Sequence, residues 1–236
     1  MPLPLSSATI FTGKSVRATQ EMSCLLYYVT DRSQFPGDER TRRRTLLAKV
    51  AEAARARVDY IQLREKDLSA RELEALAQNV VAIVRENSTT TRVLVNSRTD
   101  VALAAGADGV HLRADDVAPH EVRQVLKASA HRSTTDHFLV AFSCHSNQDV
   151  VRAEAEAADF AVFAPVFGKQ NAPGIQPTGL AALREACQAK IPVFALGGVT
   201  MENAASCLQA GAAGIAAIRL FQENSIEDVV RALRAL

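Results

Sequence analysis

A group of polar residues ends the buried segment Asp59-Tyr60-Ile61-Gln62-Leu63-Arg64-Glu65-Lys66. Side chains of an extended strand alternate between its two faces, so Gln62, Arg64 and Lys66 are expected to share one face. A guanidinium, an ammonium and an amide on one face suit a phosphate-bearing ligand, because they donate several hydrogen bonds and carry positive charge. A strand end that runs into a charged, solvated loop explains the segment alone equally well.

The composition limits what else the chain does. Its 236 residues are 48% hydrophobic and contain no tryptophan, which is compatible with one large aliphatic core. The formal net charge of +1 gives no reason to expect nucleic acid or an anionic membrane as a partner. Four cysteines without paired spacing read as reduced core residues, and residues 1–22 lack the features of a signal peptide, so we expect a cytoplasmic protein.

Short apolar runs alternate with helical patterns along the chain. The expected strands are Leu25–Val29, Tyr60–Leu63, Val93–Val95, Gly109–Leu112, Leu139–Phe142, Phe160–Ala164, Val193–Leu196 and Ile215–Ile218. Eight such units, with helices that cover the sheet, predict a single-domain α/β protein, a (β/α)8 TIM barrel over residues 23–236 with an N-terminal extension over 1–22. An open doubly wound sheet is the alternative, although no glycine-rich dinucleotide turn follows the first strand.

Polar residues gather where the predicted strands end, which is the face that carries the chemistry of such barrels. They include Asn96, Asp115, Asp116, Ser143, His145, Gly197, Gly198 and Arg219. His145 is the favoured acid/base residue, because imidazole titrates near neutral pH. Gly197 and Gly198 either make a turn only or let backbone N–H groups approach a phosphate. Asp115 and Asp116 are either helix caps or ligands for Mg²⁺.

These motifs together resemble the thiamine phosphate synthase/TenI superfamily, from about Leu26 to Gln222. The matching motifs, in chain order, are Tyr28-x-Thr30-Asp31, Gln62-Leu63-Arg64-Glu65-Lys66, Asn96-x-Arg98, Ala107 to Leu112, Ser143-x-His145-Ser146, Pro165-Val166-Phe167, Leu196-Gly197-Gly198-Val199 and Gly211-Ala212-x-Gly214. The resemblance implies a thiamine biosynthesis enzyme that acts on a small-molecule thiazole phosphate. It leaves association into a homo-oligomer open.

Two branches of the superfamily differ at positions that this chain has changed. A synthase joins hydroxymethylpyrimidine diphosphate to thiazole phosphate with Mg²⁺, and the resemblance implies that Gln62, Arg64 and Lys66 grip the diphosphate while Asp116 binds the metal. A second metal Asp is replaced by Ser97, a Thr-x-Thr-Lys segment by residues 169–172, and a serine by Arg219.

These departures favour the TenI branch, a metal-free thiazole tautomerase. The resemblance then implies His145 as the base and acid. Gly197, Gly198 and the backbone near Ile218 and Arg219 would hold the phosphate. Arg64, Lys66 or Arg219 would orient the ligand carboxylate through charge-assisted hydrogen bonds. Asn96 would add a polar contact, and Ser143 also belongs to the expected substrate site. A synthase with altered diphosphate-binding residues is the alternative. A non-catalytic regulatory paralogue that binds the ligand is a further alternative.

Overall fold

The computed structural model describes residues 24–128, 138–168 and 176–236. The predicted N-terminal extension over 1–22 and the segment from Lys169 to Ala172 therefore lie outside the described residues. No helix in the described part of the chain is long and apolar enough to cross a membrane.

Eight parallel strands form a closed barrel in sequence order, and β1 pairs with both β2 and β8. The strands are β1 Leu25–Val29, β2 Tyr60–Leu63, β3 Arg92–Asn96, β4 Gly109–Leu112, β5 Leu139–Cys144, β6 Phe160–Phe163, β7 Val193–Leu196 and β8 Gly214–Ala217. The closure confirms the predicted TIM barrel over the open sheet. The largest boundary change is at β5, which runs two residues further than predicted, to Cys144, and so carries Ser143 on the strand itself.

Helices cover the outside of the barrel. In chain order they are α1 Glu39–Arg55, α2 Ala70–Asn87, α3 Thr99–Ala104, α4 Pro119–Ala128, α5 Asn147–Ala155, α6 Gly179–Ala186, α7 Ala204–Gln209, α8 Arg219–Gln222 and α9 Ile226–Arg234. Within the described residues, the short helix α8 has no counterpart in the sequence prediction, which places the helix after β8 at Ile226–Leu236. It begins directly after β8 and places Arg219 at the end of the barrel.

Two apolar layers hold the barrel, and strand alternation separates them. The outer layer lies between the sheet and the helices, and Ile61 and Leu63 of β2 belong to it. The inner layer fills the barrel with Tyr27, Leu94, Ala141, Phe160, Val162, Phe194 and Ala216. Aromatic rings near the middle meet mostly edge to face or tilted, as Tyr27 and Phe160 do at 5.6 Å. Polar side chains above this aromatic floor are therefore directed towards the open end of the barrel.

Candidate functional site

The C-terminal ends of the strands surround a cavity of about 1440 Å³. Ten side chains or glycines predicted for the site line it: Gln62, Arg64, Lys66, Asn96, Ser143, His145, Gly197, Gly198, Ile218 and Arg219. Asp116, the predicted Mg²⁺ ligand of a synthase, is absent from this lining. The structure thus brings ten of the eleven residues together, while their chemical roles remain predictions.

The β2 motif follows strand alternation. Gln62 is buried and donates from Nε2 to the Tyr27 hydroxyl inside the barrel at 3.1 Å. Arg64 comes next on the same face, and its backbone N–H donates to Thr30 Oγ1 at 3.0 Å. Burial, more than any other cause, lowers the pKa of the Arg64 guanidinium, and no described residue forms a hydrogen bond or ion pair with that group. A partly desolvated cation that has no hydrogen-bonded or ion-paired partner among the described residues is suited to an anionic ligand.

Glu65 has the opposite orientation, and it anchors the motif. Its side chain is only 1% exposed, and it accepts from the Thr30 hydroxyl at 2.6 Å and from Arg32 Nη1 at 3.0 Å. Arg32 also reaches Asp67 at 2.7 Å and Glu39 at 2.9 Å. This ion cluster of Arg32, Glu39, Glu65 and Asp67 ties the end of β1 to the end of β2 and fixes the backbone on which Arg64 and Lys66 stand.

A chain of hydrogen bonds crosses the floor of the cavity. The Tyr27 oxygen accepts from Gln62 and lies 2.9 Å from His111 Nδ1, and assigning the Tyr27 O–H as the donor to Nδ1 gives this buried hydroxyl an acceptor. Nε2 of His111 then carries the proton and donates to Ser143 Oγ at 2.8 Å. The Ser143 hydroxyl is left to donate towards the cavity. A histidine within a predicted strand, such as His111, reads as structural from the sequence, yet His111 lines the cavity. The alternation of β4, which places Val110 and Leu112 outside, was the available signal.

His111 is expected to make the fold sensitive to acid. Burial and the nearby positive charge of Arg64 lower the pKa of His111 to about 3, against 6.5 for a free imidazole. Between these values the unfolded chain binds a proton that the folded chain does not, so this contribution to stability is complete above pH 6.5 and falls as the pH falls. Roughly 2 kcal/mol of the free energy of unfolding should be lost between pH 7 and pH 5.

Urea denaturation at both pH values of wild type and His111→Gln measures this loss. The variant should lose about 2 kcal/mol less than wild type, and His120→Gln, a change at an exposed histidine of α4, should behave as wild type does. Equal losses in wild type and His111→Gln would contradict the expectation.

His145 stands at the rim, directly after β5. Its backbone N–H donates to the Asp149 carboxylate at 2.9 Å, and that carboxylate also takes part in the capping box of α5. Its Nδ1 lies 2.8 Å from the Ala164 carbonyl oxygen, which only accepts, so Nδ1 carries the proton. In the neutral ring Nε2 then holds the lone pair that a base needs.

The ends of β7 and β8 form a polar backbone surface. Gly197 and Gly198 have φ values of +96° and +64°, and a Cβ on Gly197 would lie 2.7 Å from the Pro165 Cα. Only glycine suits that conformation and that distance. Within the described residues, no acceptor is found for the backbone N–H groups of Gly197, Gly198 and Ile218. These three N–H groups border the same cavity and are suited to a phosphate.

The acidic residues after β4 are paired with Arg113, a residue that the sequence analysis missed. The Asp116 carboxylate accepts from the Arg113 backbone N–H at 2.8 Å and lies 3.4 Å from its Nε. Asp115 lies 2.8 Å from Nη2 of the same guanidinium. The signal was available, since Arg113 follows β4 in the way that Arg64 follows β2. Nowhere in the three described ranges do three or more His, Cys, Asp or Glu side chains form a group that could hold a metal.

Comparisons with known proteins agree with this architecture. The sequence model of the family described as "Thiamine monophosphate synthase" matches residues 26–221. "Putative thiamine-phosphate synthase 2" of Aquifex aeolicus is 39% identical over 84% of this chain and 97% of its own length. "Thiamine-phosphate synthase" of Methanoculleus marisnigri is 39% identical over 89% of this chain and 93% of its own length.

A solved structure of a named relative has a similar three-dimensional fold. "Thiamine phosphate pyrophosphorylase" from Pyrococcus furiosus has a TM-score of 0.73 and 27% identity, and the match covers 90% of this chain and 95% of that one. The family match over most of the chain and the shared closed barrel lead to one conclusion. The chain belongs to the thiamine monophosphate synthase family of thiamine biosynthesis enzymes.

Proposed function

We propose that this protein is a thiamine phosphate synthase, which joins hydroxymethylpyrimidine diphosphate to thiazole phosphate. In this reaction the bond between the pyrimidine methylene carbon and the diphosphate oxygen breaks, and diphosphate leaves with the electron pair. The thiazole nitrogen forms a new bond to the same carbon. The relatives compared above bear the synthase name, so they support this reaction over the tautomerase that the sequence favours. The preference for the TenI branch is not confirmed.

The observation that carries the proposal is the presence of two anion-binding surfaces across one large cavity. Arg64 and Lys66 provide cations on the β2 side, and the N–H groups of Gly197, Gly198 and Ile218 lie on the β7–β8 side. The cavity, at about 1440 Å³, is larger than the 300–1,000 Å³ or so that is usual for one small ligand. Two anionic substrates fit this arrangement better than one.

The residues that line the cavity are assigned to the two substrates by the side on which they lie. Gln62, Arg64, Lys66 and Asn96 would hold the diphosphate, whose leaving is favoured by charge-assisted hydrogen bonds that strengthen as negative charge develops. The backbone at Gly197-Gly198 and at Ile218-Arg219 would hold the thiazole phosphate. Ser143, oriented by His111, would donate a hydrogen bond to a ligand atom at the floor.

Mg²⁺ is the cofactor that the resemblance implies for a synthase, but the described residues do not fit it well. Magnesium bound to a phosphate ligand needs one or two protein carboxylates that face the ligand. Ser97 offers a hydroxyl in place of a carboxylate, and that oxygen already accepts from Asn96 Nδ2 at 3.0 Å. Asp115 lines the cavity, but its carboxylate lies 2.8 Å from Arg113 Nη2. Asp116 is turned to Arg113 and does not line the cavity. No step of the proposed reaction is therefore assigned to the metal.

The direct test offers the purified protein both substrates in EDTA and, separately, in Mg²⁺, and measures thiamine phosphate and released diphosphate together. We expect thiamine phosphate and diphosphate to form in equal amounts. Formation of neither product in either solution would contradict the proposal. Binding of thiazole phosphate without turnover would instead support the regulatory paralogue.

The tautomerase remains a second candidate because of one observation, the fixed tautomer of His145. A base with a free Nε2 at the rim of the cavity suits proton transfer between a ring carbon and an exocyclic carbon of a carboxythiazole phosphate. Incubation with that compound would separate the candidates. Turnover that disappears in His145→Ala, together with no synthase product, would favour the tautomerase.

A further inference from the structure

The carboxylates after β4 are occupied by a guanidinium from their own loop. Arg113 lies 2.8 Å from Asp115 through Nη2 and 3.4 Å from Asp116 through Nε. The Asp116 side chain is 15% exposed and also accepts the Arg113 backbone N–H. A cation at this position would have to compete with the guanidinium for both carboxylates. The carboxylates that a metal site would direct at its ion are therefore paired with Arg113, which itself lines the cavity.

Positive charge is concentrated on one side of the cavity. Arg64, Lys66 and Arg113 line it from the loops after β2 and β4, where Asp115 is the one lining carboxylate within the described ranges. The two other lining carboxylates, Glu202 and Glu223, follow β7 and α8 on the other side. Burial lowers the pKa of Arg64 most, and Asp31 and Glu65 raise it. The positive charge of Arg113 lowers that pKa further, so the two guanidinium groups are close enough to act on the same region. Such a concentration of cations attracts a ligand with several negative charges.

We propose that Arg64, Arg113 and Lys66 neutralise a diphosphate group at this cavity in place of a divalent cation, so that diphosphate binding does not depend on Mg²⁺. Each planar guanidinium is able to bind two phosphate oxygens at once. This inference rests on the proposed synthase function, since it concerns the diphosphate of that reaction. It departs from the metal requirement that the family resemblance implies.

Calorimetric titration of the whole protein with inorganic diphosphate tests this inference without any turnover. One titration contains EDTA and the other contains a fixed excess of Mg²⁺. Wild type should bind diphosphate in EDTA with a Kd within about threefold of its Kd in Mg²⁺, a difference of less than 1 kcal/mol.

Arg113→Ala should bind about tenfold more weakly in EDTA, since it loses charge-assisted hydrogen bonds. Mg²⁺ should then restore binding, because Asp115 and Asp116 have lost their counter-ion. Arg113→Lys, which keeps the charge, should fall between the two, and Arg55→Ala, a change at an exposed position of α1, should match wild type. Circular dichroism of each variant confirms that it is folded.

The outcomes distinguish this inference from the proposed function. Wild-type binding that requires Mg²⁺ would overturn the inference alone and leave the synthase reaction standing. Binding in neither solution would overturn both. An Arg113→Ala protein that binds in EDTA as wild type does would remove Arg113 from the diphosphate site and would also overturn the inference.

Discussion

Arg64→Ala is expected to lower kcat/KM for thiamine phosphate formation by about 10²–10³-fold, the usual loss when one preorganised donor to a developing charge is removed. The Arg64 guanidinium lines the cavity, has no hydrogen-bonded or ion-paired partner among the described residues, and is partly removed from water. In the proposed synthase reaction, its hydrogen bonds would be available to the diphosphate as that group leaves. The change should reduce kcat and not only raise KM, because negative charge on the leaving group increases in the transition state.

Stability separates this role from a structural one. Burial of a cation that forms no ion pair within the described residues costs free energy in the folded state, so Arg64→Ala should leave the urea midpoint unchanged or raise it. Arg71→Ala removes the same charge from an exposed position of α2 and should leave both kcat/KM and the midpoint unchanged. An Arg64→Ala protein with wild-type kinetics, or one whose midpoint falls clearly, would contradict this role.

Strand alternation explains why so much of the site follows from the sequence. The period of two places Gln62 and Arg64 inside the barrel end and Glu65 outside, and the structure has this arrangement. The same rule places His111 inside, although a histidine within a short strand had been interpreted as structural. Positions along a strand are thus predictable because the backbone alone sets the direction of each side chain.

The partners of these side chains are less predictable, because they depend on contacts between loops. Nothing local in the sequence pairs Glu65 with Arg32, which lies 33 positions earlier in the chain. From its place after β4, Asp116 is either a helix cap or a metal ligand, and the family resemblance implies the metal, yet its carboxylate closes a turn with Arg113. A charged residue at a strand end has several neighbours within reach, and only the folded loops decide which one it takes. The fold and the residues that line the cavity were therefore predictable, while the ion pairs formed by the charged residues around it were not.

Arg32→Met is expected to lower the free energy of unfolding by about 3–5 kcal/mol, the usual cost of leaving one partner of a buried ion pair alone. The side chains of Arg32 and Glu65 are 4% and 1% exposed. Glu65 would keep its hydrogen bond from Thr30 but lose the guanidinium that compensates its charge. Urea denaturation at pH 7 measures the loss, and Arg40→Ala, a change at an exposed position of α1, should stay within about 0.5 kcal/mol of wild type.

A double variant tests whether the pair itself causes the loss. Arg32→Met combined with Glu65→Leu removes both buried charges, so it should be more stable than the sum of the two single losses predicts. Additive losses would show that Arg32 and Glu65 act independently and would contradict the assignment.

The same cluster connects stability to catalysis. Thr30 Oγ1 accepts from the Arg64 backbone N–H and donates to Glu65, so the ion cluster holds the backbone between the two cations of the β2 motif. Arg32→Met should therefore also weaken diphosphate binding, although Arg32 does not line the cavity. If binding were unchanged in a destabilised but folded variant, Arg64 and Lys66 would be positioned by β2 alone. The outward-facing Glu65 would then serve the fold and not the site.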